Sequence, residues 1–75
     1  MALVAYCGGS GMWDVRSEDG ERAYSVRAGG RDGLRITATT RHGNLVTSTR
    51  VLDEIRRAMI KYNRRQQELI AAAKT

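Results

Sequence analysis

The chain contains no proline, one cysteine and one histidine in 75 residues, and only two of its thirteen basic residues, Lys61 and Lys74, are lysine. A single cysteine excludes an intramolecular disulfide framework and suggests a reducing compartment. One histidine beside one cysteine leaves no ligand set for a structural metal, so neither metal nor cofactor is expected. No run approaches the roughly 20 apolar residues of a membrane span. Met1–Tyr6 is apolar but short and has no basic residues ahead of it, unlike a signal peptide. The expectation is a soluble, cytoplasmic protein without membrane contact. A chain of this length buries only about 60–65% of the surface it exposes when unfolded. Without a disulfide or metal, oligomerisation or a partner is the remaining common source of stability.

The residues of catalysis are equally sparse. Cys7-Gly8-Gly9-Ser10-Gly11 lacks the Gly-Lys-Ser/Thr ending of a phosphate-binding P-loop. It reads as a flexible turn after a first short strand near Ala2–Tyr6. His42 stands in a Gly-Asn turn without a partner acid or nucleophile. Cys7 has no identifiable base, and Asp14, Glu18, Asp19 and Glu21 gather at a turn rather than as a pair placed for proton transfer. No enzyme is expected.

What the chain does have is one long uninterrupted stretch, Thr47 to Lys74, free of glycine. Leu52, Ile55, Met59, Tyr62, Gln66, Leu69 and Ala73 recur at 3-4 spacing and share one helical face. Val51, Ala58 and Ile70 widen that face. Arg50, Arg57, Lys61 and Arg64 fall on the opposite side, with Arg56 and Arg65 flanking. Ser48 or Thr49 is the expected N-cap, with Asp53 and Glu54 in the first turns. Favourable Asp53–Arg57 and Arg64–Glu68 pairs are expected along the exposed side, with Glu54 also in reach of Arg57.

Ahead of the helix, residues 12–41 read as a three-stranded meander. A two-residue turn at Asp19-Gly20 sets Trp13 opposite Val26 and Val15 opposite Tyr24, apolar on one face, with Asp14–Ser25 and Arg16–Ala23 on the other. Treating Gly29–Gly33 as a loop pairs Ala28 with Leu34, Val26 with Ile36 and Tyr24 with Ala38. A tight turn at Asp32-Gly33 alone would flip the face and is rejected. Leu45-Val46-Thr47 is read either as a short returning strand or as a lead into the helix. The fold class is α+β: a single domain, 1–75, with an antiparallel β-meander of three to five strands (1–46) packed on a long amphipathic C-terminal helix (47–74). A six-residue strand spans about 20 Å and a 25-residue helix about 37 Å, so the helix must overhang the sheet.

The net charge of +5 sits entirely in residues 41–75, which carry eight basic against three acidic residues. The open sheet face is expected to carry Arg16, Ser25, Arg27, Arg35, Thr37, Thr39 and Arg41, with Arg27 directly opposite Arg35. Like charges across a strand pair are destabilising unless an anion or an acid relieves them. Arginine forks suit phosphate, and Arg and Thr on an open sheet suit phosphates and base edges. Arg16, Arg27, Arg35, Arg41, Arg57, Lys61 and Arg64 are therefore the candidate nucleic-acid or anion ligands. A solvated face would also carry Thr for strand propensity and Arg for solubility.

The layout over roughly residues 12–65, a three-stranded sheet followed by a helix with Arg and Thr on the open face, is similar to plant AP2-type domains and to the arm-binding domains of tyrosine recombinases, a likeness of fold that carries little functional weight. The likeness is one of layout, without a shared motif, and the long helix departs from it. Two functions follow. One is a small basic nucleic-acid-associated protein using Arg on the sheet face and a helix edge. The other is a protein-interaction adaptor or inhibitor, of the kind phages and mobile elements encode, whose helix docks on a partner or a second copy. Tyr62, Gln66, Leu69, Ile70 and Ala73 are the candidate interface, and a homo-oligomer is expected.

Overall fold

In the computed structural model, residues 2–31 and 35–73 are described. Four strands, β1 (Leu3–Gly9), β2 (Met12–Ser17), β3 (Ala23–Gly29) and β4 (Arg35–Thr40), form one antiparallel sheet in sequential order, followed by a single helix, α1 (Thr49–Ala73). This is the α+β meander-and-helix architecture expected from the turn and periodicity signals.

The β2–β3 register is the expected one, with Trp13 facing Val26 and Val15 facing Tyr24. The connection is longer than two residues. The amide of Ser17 donates to the Arg22 carbonyl at 2.8 Å, and Gly20 N–H closes a turn on the Ser17 carbonyl at 3.0 Å. Only Gly20 takes positive φ, at 76°, so Asp19 is not a left-handed turn residue. It works through its side chain instead. Ser17, the one buried polar residue among those described, donates its hydroxyl to Asp19 at 2.5 Å and accepts the Arg22 amide at 3.0 Å.

The β3–β4 register differs from expectation by two residues. Ala28 faces Ile36, Val26 faces Ala38 and Tyr24 faces Thr40. An even shift leaves every side chain on its expected face, so hydrophobic patterning could not discriminate between the two registers. The consequence is at the surface. Arg27 faces Thr37 and Arg35 faces Gly29, and the expected direct Arg27–Arg35 pairing does not exist. The two guanidinium groups are diagonal neighbours, which lessens their repulsion. Asp32, Gly33 and Leu34, on which the expected loop and the Ala28–Leu34 pair rested, lie outside the described residues.

β1 runs beyond the expected strand to Gly9 and pairs with β2, with a bulge between Cys7 and Gly9. The glycine run is a tight hairpin turn in which Gly9, Ser10 and Gly11 all have positive φ. Beyond β4, Thr39 bridges Leu45, and the Val46 amide donates to the Ala38 carbonyl at 2.8 Å, so residues 45–46 make a minimal returning strand.

Ser48 is the N-cap. Its hydroxyl accepts the Val51 amide at 3.4 Å and its carbonyl accepts Leu52 N–H at 3.0 Å. Asp53 and Glu54 lie past the first turn, which holds no acid. Leu3, Ala5, Val15, Val26, Ala38, Ile55, Ala58 and Met59 form the core, with Trp13, Tyr24, Ile36, Val51, Leu52 and Tyr62 packed around it. Each fully buried aliphatic side chain contributes roughly 1.5–3 kcal/mol. The helix leaves the returning strand beside β4, crosses the inner face of the sheet, and meets β1 through Ala58 and Tyr62. From Val51 to Tyr62 it covers about 16 Å, close to the roughly 14 Å between the first and fourth strands. Residues 63–73 are then all exposed: the helix overhangs the sheet as expected, but across the strands and past the β1 edge rather than along the strand direction.

Candidate functional site

Strand alternation sends Val4, Tyr6, Met12, Asp14, Arg16, Ser25, Arg27, Arg35, Thr37 and Thr39 to the outer face, opposite the helix. Their registers arrange them in rows across the strands: Val4–Arg16–Ala23, Tyr6–Asp14–Ser25–Thr39, and Met12–Arg27–Thr37. No element of the fold covers this face among the described residues.

The four candidate arginines of the sheet divide into two pairs. Arg16 donates to Asp14 at 2.6 Å, and that hydrogen bond raises the guanidinium pKa above its ordinary value. Arg41 donates to the carbonyls of Gly20 (2.7 Å) and Glu21, tying the end of β4 to the β2–β3 turn. Both are committed to the fold. Arg27 and Arg35 are exposed and have no acidic partner among the described residues. Beside Arg27 is a shallow depression lined by Met12, Ser25, Val26, Arg27, Thr37 and Thr39, which brings a guanidinium, hydroxyls and one methionine together. A guanidinium beside hydroxyls is chemistry suited to an anion.

Arg57, Lys61 and Arg64 are exposed on the helix. The expected Asp53–Arg57 pair is replaced by Asp53–Arg56 at 3.0 Å. Glu54 turns to Arg22 at 3.1 Å instead of reaching Arg57. Arg22 also donates to the Tyr24 hydroxyl at 3.1 Å, the main cause of its raised pKa, and thereby joins β3 to the helix. Among the described residues, Arg57, Lys61 and Arg64 form no ion pair. They lie on the helical layer, whereas Arg27 and Arg35 lie on the far side of the sheet. The domain is 20 Å across its thinnest axis, so the seven candidate cations form two surfaces rather than one.

The candidate interface residues also divide. Tyr62 is half-buried and meets Trp13 edge to face at 5.3 Å, so it serves the domain's own core. Gln66, Leu69, Ile70 and Ala73 are exposed.

Sequence reasoning placed Arg and Thr on the outer face but missed its apolar members. Tyr6 is 55% exposed, Met12 40% and Val4 38%. The signal was present in the alternation of Leu3 and Ala5 with Val4 and Tyr6, once β1 is recognised as a sheet strand. Comparisons with protein families, curated proteins and solved structures found no match to the chain. No helix among the described residues is long and apolar enough to cross a membrane.

Proposed function

We propose that the protein is a small nucleic-acid-associated protein that binds on the outer face of its sheet. The observation that carries this reading is an uncovered four-stranded face on which Arg27 and Arg35 lack acidic partners among the described residues, beside exposed Tyr6 and Met12. The arginines supply charge-assisted hydrogen bonds to phosphate oxygens, Thr37 supplies a hydroxyl, and Tyr6 and Met12 supply apolar surface for an unstacked base, whereas the Thr39 hydroxyl donates to the Ser25 carbonyl. The basic side of the helix, Arg57, Lys61 and Arg64, raises the local concentration of a polyanion without sharing the same contact.

The test is binding of labelled single-stranded and duplex oligonucleotides as a function of salt. Neutralising several phosphates makes affinity fall steeply between 50 and 200 mM salt. The combined variant Arg27→Ala, Arg35→Ala should lose more affinity than Arg57→Ala, Lys61→Ala, Arg64→Ala. Absence of salt-dependent binding to either oligonucleotide would overturn the reading.

A second reading, a protein-interaction adaptor, is favoured by one observation. Leu69 and Ile70 are 56% and 55% exposed at the end of a helix that has already left its own core.

A further inference from the structure

We infer that β1 is the interface between two copies of this chain, joined edge to edge into one continuous sheet, with the helix end of each copy lying over the other. The inference stands on the fold alone; it shares Tyr6 with the proposed nucleic-acid face and leaves Met12, Arg27 and Arg35 of that face untouched.

The two edges of the sheet are treated differently. At β4 the returning residues take up the outward groups, with Thr40 N–H on the Asn44 carbonyl and Val46 N–H on the Ala38 carbonyl, both at 2.8 Å. β1 is the other edge, and no strand is paired to its outer side among the described residues. Its sequence, LVAYCGG, has no charge and no proline, the usual means by which an edge strand repels a second strand. The hydrogen-bond parity of the sheet identifies the free groups. Ser17 N–H donates toward β3, so the odd residues of β2 serve β3 and the even residues serve β1. Arg16 and Asp14 therefore bond Val4 and Tyr6, and the amides and carbonyls of Leu3, Ala5 and Cys7 point off the open edge.

A two-fold axis at Ala5, perpendicular to the sheet, uses all of these groups. Ala5 pairs with its own symmetry copy, and Leu3 pairs with Cys7 in both directions. The same axis sets Val4 of each copy against Tyr6 of the other on the outer face, as a non-hydrogen-bonded pair with close side chains. These are two of the exposed large apolar residues of the fold, and one operation covers both.

The helix points to the same occupant. Its buried side meets the core residues Leu3 and Ala5 of β1, and the same side continues past Tyr62 as the exposed Gln66, Leu69, Ile70 and Ala73. A strand added to β1 lies directly beneath that segment. The two-fold sets the partner's helix end antiparallel to this one on the same face of the joined sheet. The edge, the Val4–Tyr6 pair and the helix end are all completed by a second copy of this chain in one arrangement.

The experiment is sedimentation equilibrium of the wild type and three variants, with amide hydrogen exchange on the wild type. The wild type should be a dimer at micromolar concentration, with the Leu3, Ala5 and Cys7 amides protected more strongly as concentration rises. The variant Val4→Lys, Tyr6→Lys sets like charges opposite each other twice and should weaken the dimer by about tenfold or more. Val4→Lys, Tyr6→Glu sets opposite charges at the same places and should retain it. Leu69→Asp, Ile70→Asp, at exposed positions remote from the sheet, should also weaken it with circular dichroism unchanged. A monomeric wild type at high micromolar concentration overturns the inference. So does a dimer whose Leu3, Ala5 and Cys7 amides exchange as freely as those of an open edge, a result that holds even if a variant fails to fold.

Discussion

Trp13 on β2 and Tyr62 on the helix meet edge to face, with ring centroids 5.3 Å apart and planes at 83°. This contact marks the last point at which the helix is held by its own sheet, because every residue from 63 to 73 is exposed. Aromatic pairs of this geometry contribute about 0.5–1.5 kcal/mol beyond the area they bury. Tyr62→Ala should therefore cost about 2 kcal/mol, adding the lost burial of a half-buried ring. Trp13 is the only tryptophan, so its emission reports the contact directly. It should shift to longer wavelength in the folded variant, and urea unfolding followed at that wavelength gives the stability change.

Val26 lies at the centre of the core, fully buried and facing Trp13 on one side and Ala38 on the other. Val26→Asp places an unpaired carboxylate there, a cost of several kcal/mol in a domain whose total stability is on the order of 5 kcal/mol. Circular dichroism should show an unfolded chain at neutral pH. Val26→Ala should remain folded and lose about 2 kcal/mol.

Gly9 and Gly11 both hold positive φ in the β1–β2 turn, at 83° and 76°. They differ in what surrounds them. A Cβ on Gly11 would sit 2.9 Å from the Ala28 carbonyl oxygen, whereas nothing lies within 4 Å of one on Gly9. The Gly11 carbonyl also accepts the Ala28 amide at 2.7 Å, so the two backbones cannot separate without losing that bond. Gly9→Ala should cost about 1 kcal/mol for left-handed backbone alone, and Gly11→Ala about 2–3 kcal/mol. Equal losses in thermal unfolding would show that the close approach is relaxed at no cost.

The fold was legible where two independent signals coincided. Asp19-Gly20 and the alternation of Trp13, Val15, Tyr24 and Val26 converge on one β2–β3 register, and it is the one found. Between β3 and β4 only alternation was available, and alternation cannot distinguish registers two residues apart. What distinguishes them is electrostatic. Arg27 opposite Arg35 is repulsive, and that repulsion favours the observed register, in which Arg27 faces Thr37. Helix ion pairs were misread for a different reason. Glu54 has a tertiary partner, Arg22, far away in the chain, which i,i+4 reasoning does not see. The overhang is legible because a 25-residue helix, about 37 Å long, exceeds the sheet in either direction, about 20 Å along a strand or about 14 Å across four.

Asp19 gives a signature at acid pH. The Ser17 hydroxyl and the Glu21 amide both donate to its carboxylate and hold its pKa below the ordinary aspartate value. A carboxyl group whose pKa is lower folded than unfolded favours the folded state above its unfolded pKa, near 3.9. That contribution is lost as pH falls through the lower, folded value. Asp19→Asn can keep the hydrogen bonds but cannot titrate. Its stability relative to wild type should be constant above pH 5 and should improve as pH falls below about 4. A difference independent of pH over that range, measured by urea unfolding, would mean that the Ser17–Asp19 bond does not persist in solution.

Arg27 separates a binding role from a structural one. It is exposed, faces Thr37, and has no acidic partner among the described residues, so Arg27→Ala should change stability by less than about 0.5 kcal/mol. If Arg27 contacts a phosphate, the same variant should reduce the slope of log affinity against log salt by about one, uniformly across oligonucleotide sequences. Arg41 provides the contrast. Its guanidinium holds the Gly20 and Glu21 carbonyls, so Arg41→Ala should lower the melting temperature by several degrees, for a loss of about 1 kcal/mol. The two variants should therefore move in opposite ways: binding without stability for Arg27, stability ahead of binding for Arg41. An Arg27→Ala protein that melts lower while its salt slope is unchanged would remove the outer sheet face from consideration as the polyanion site.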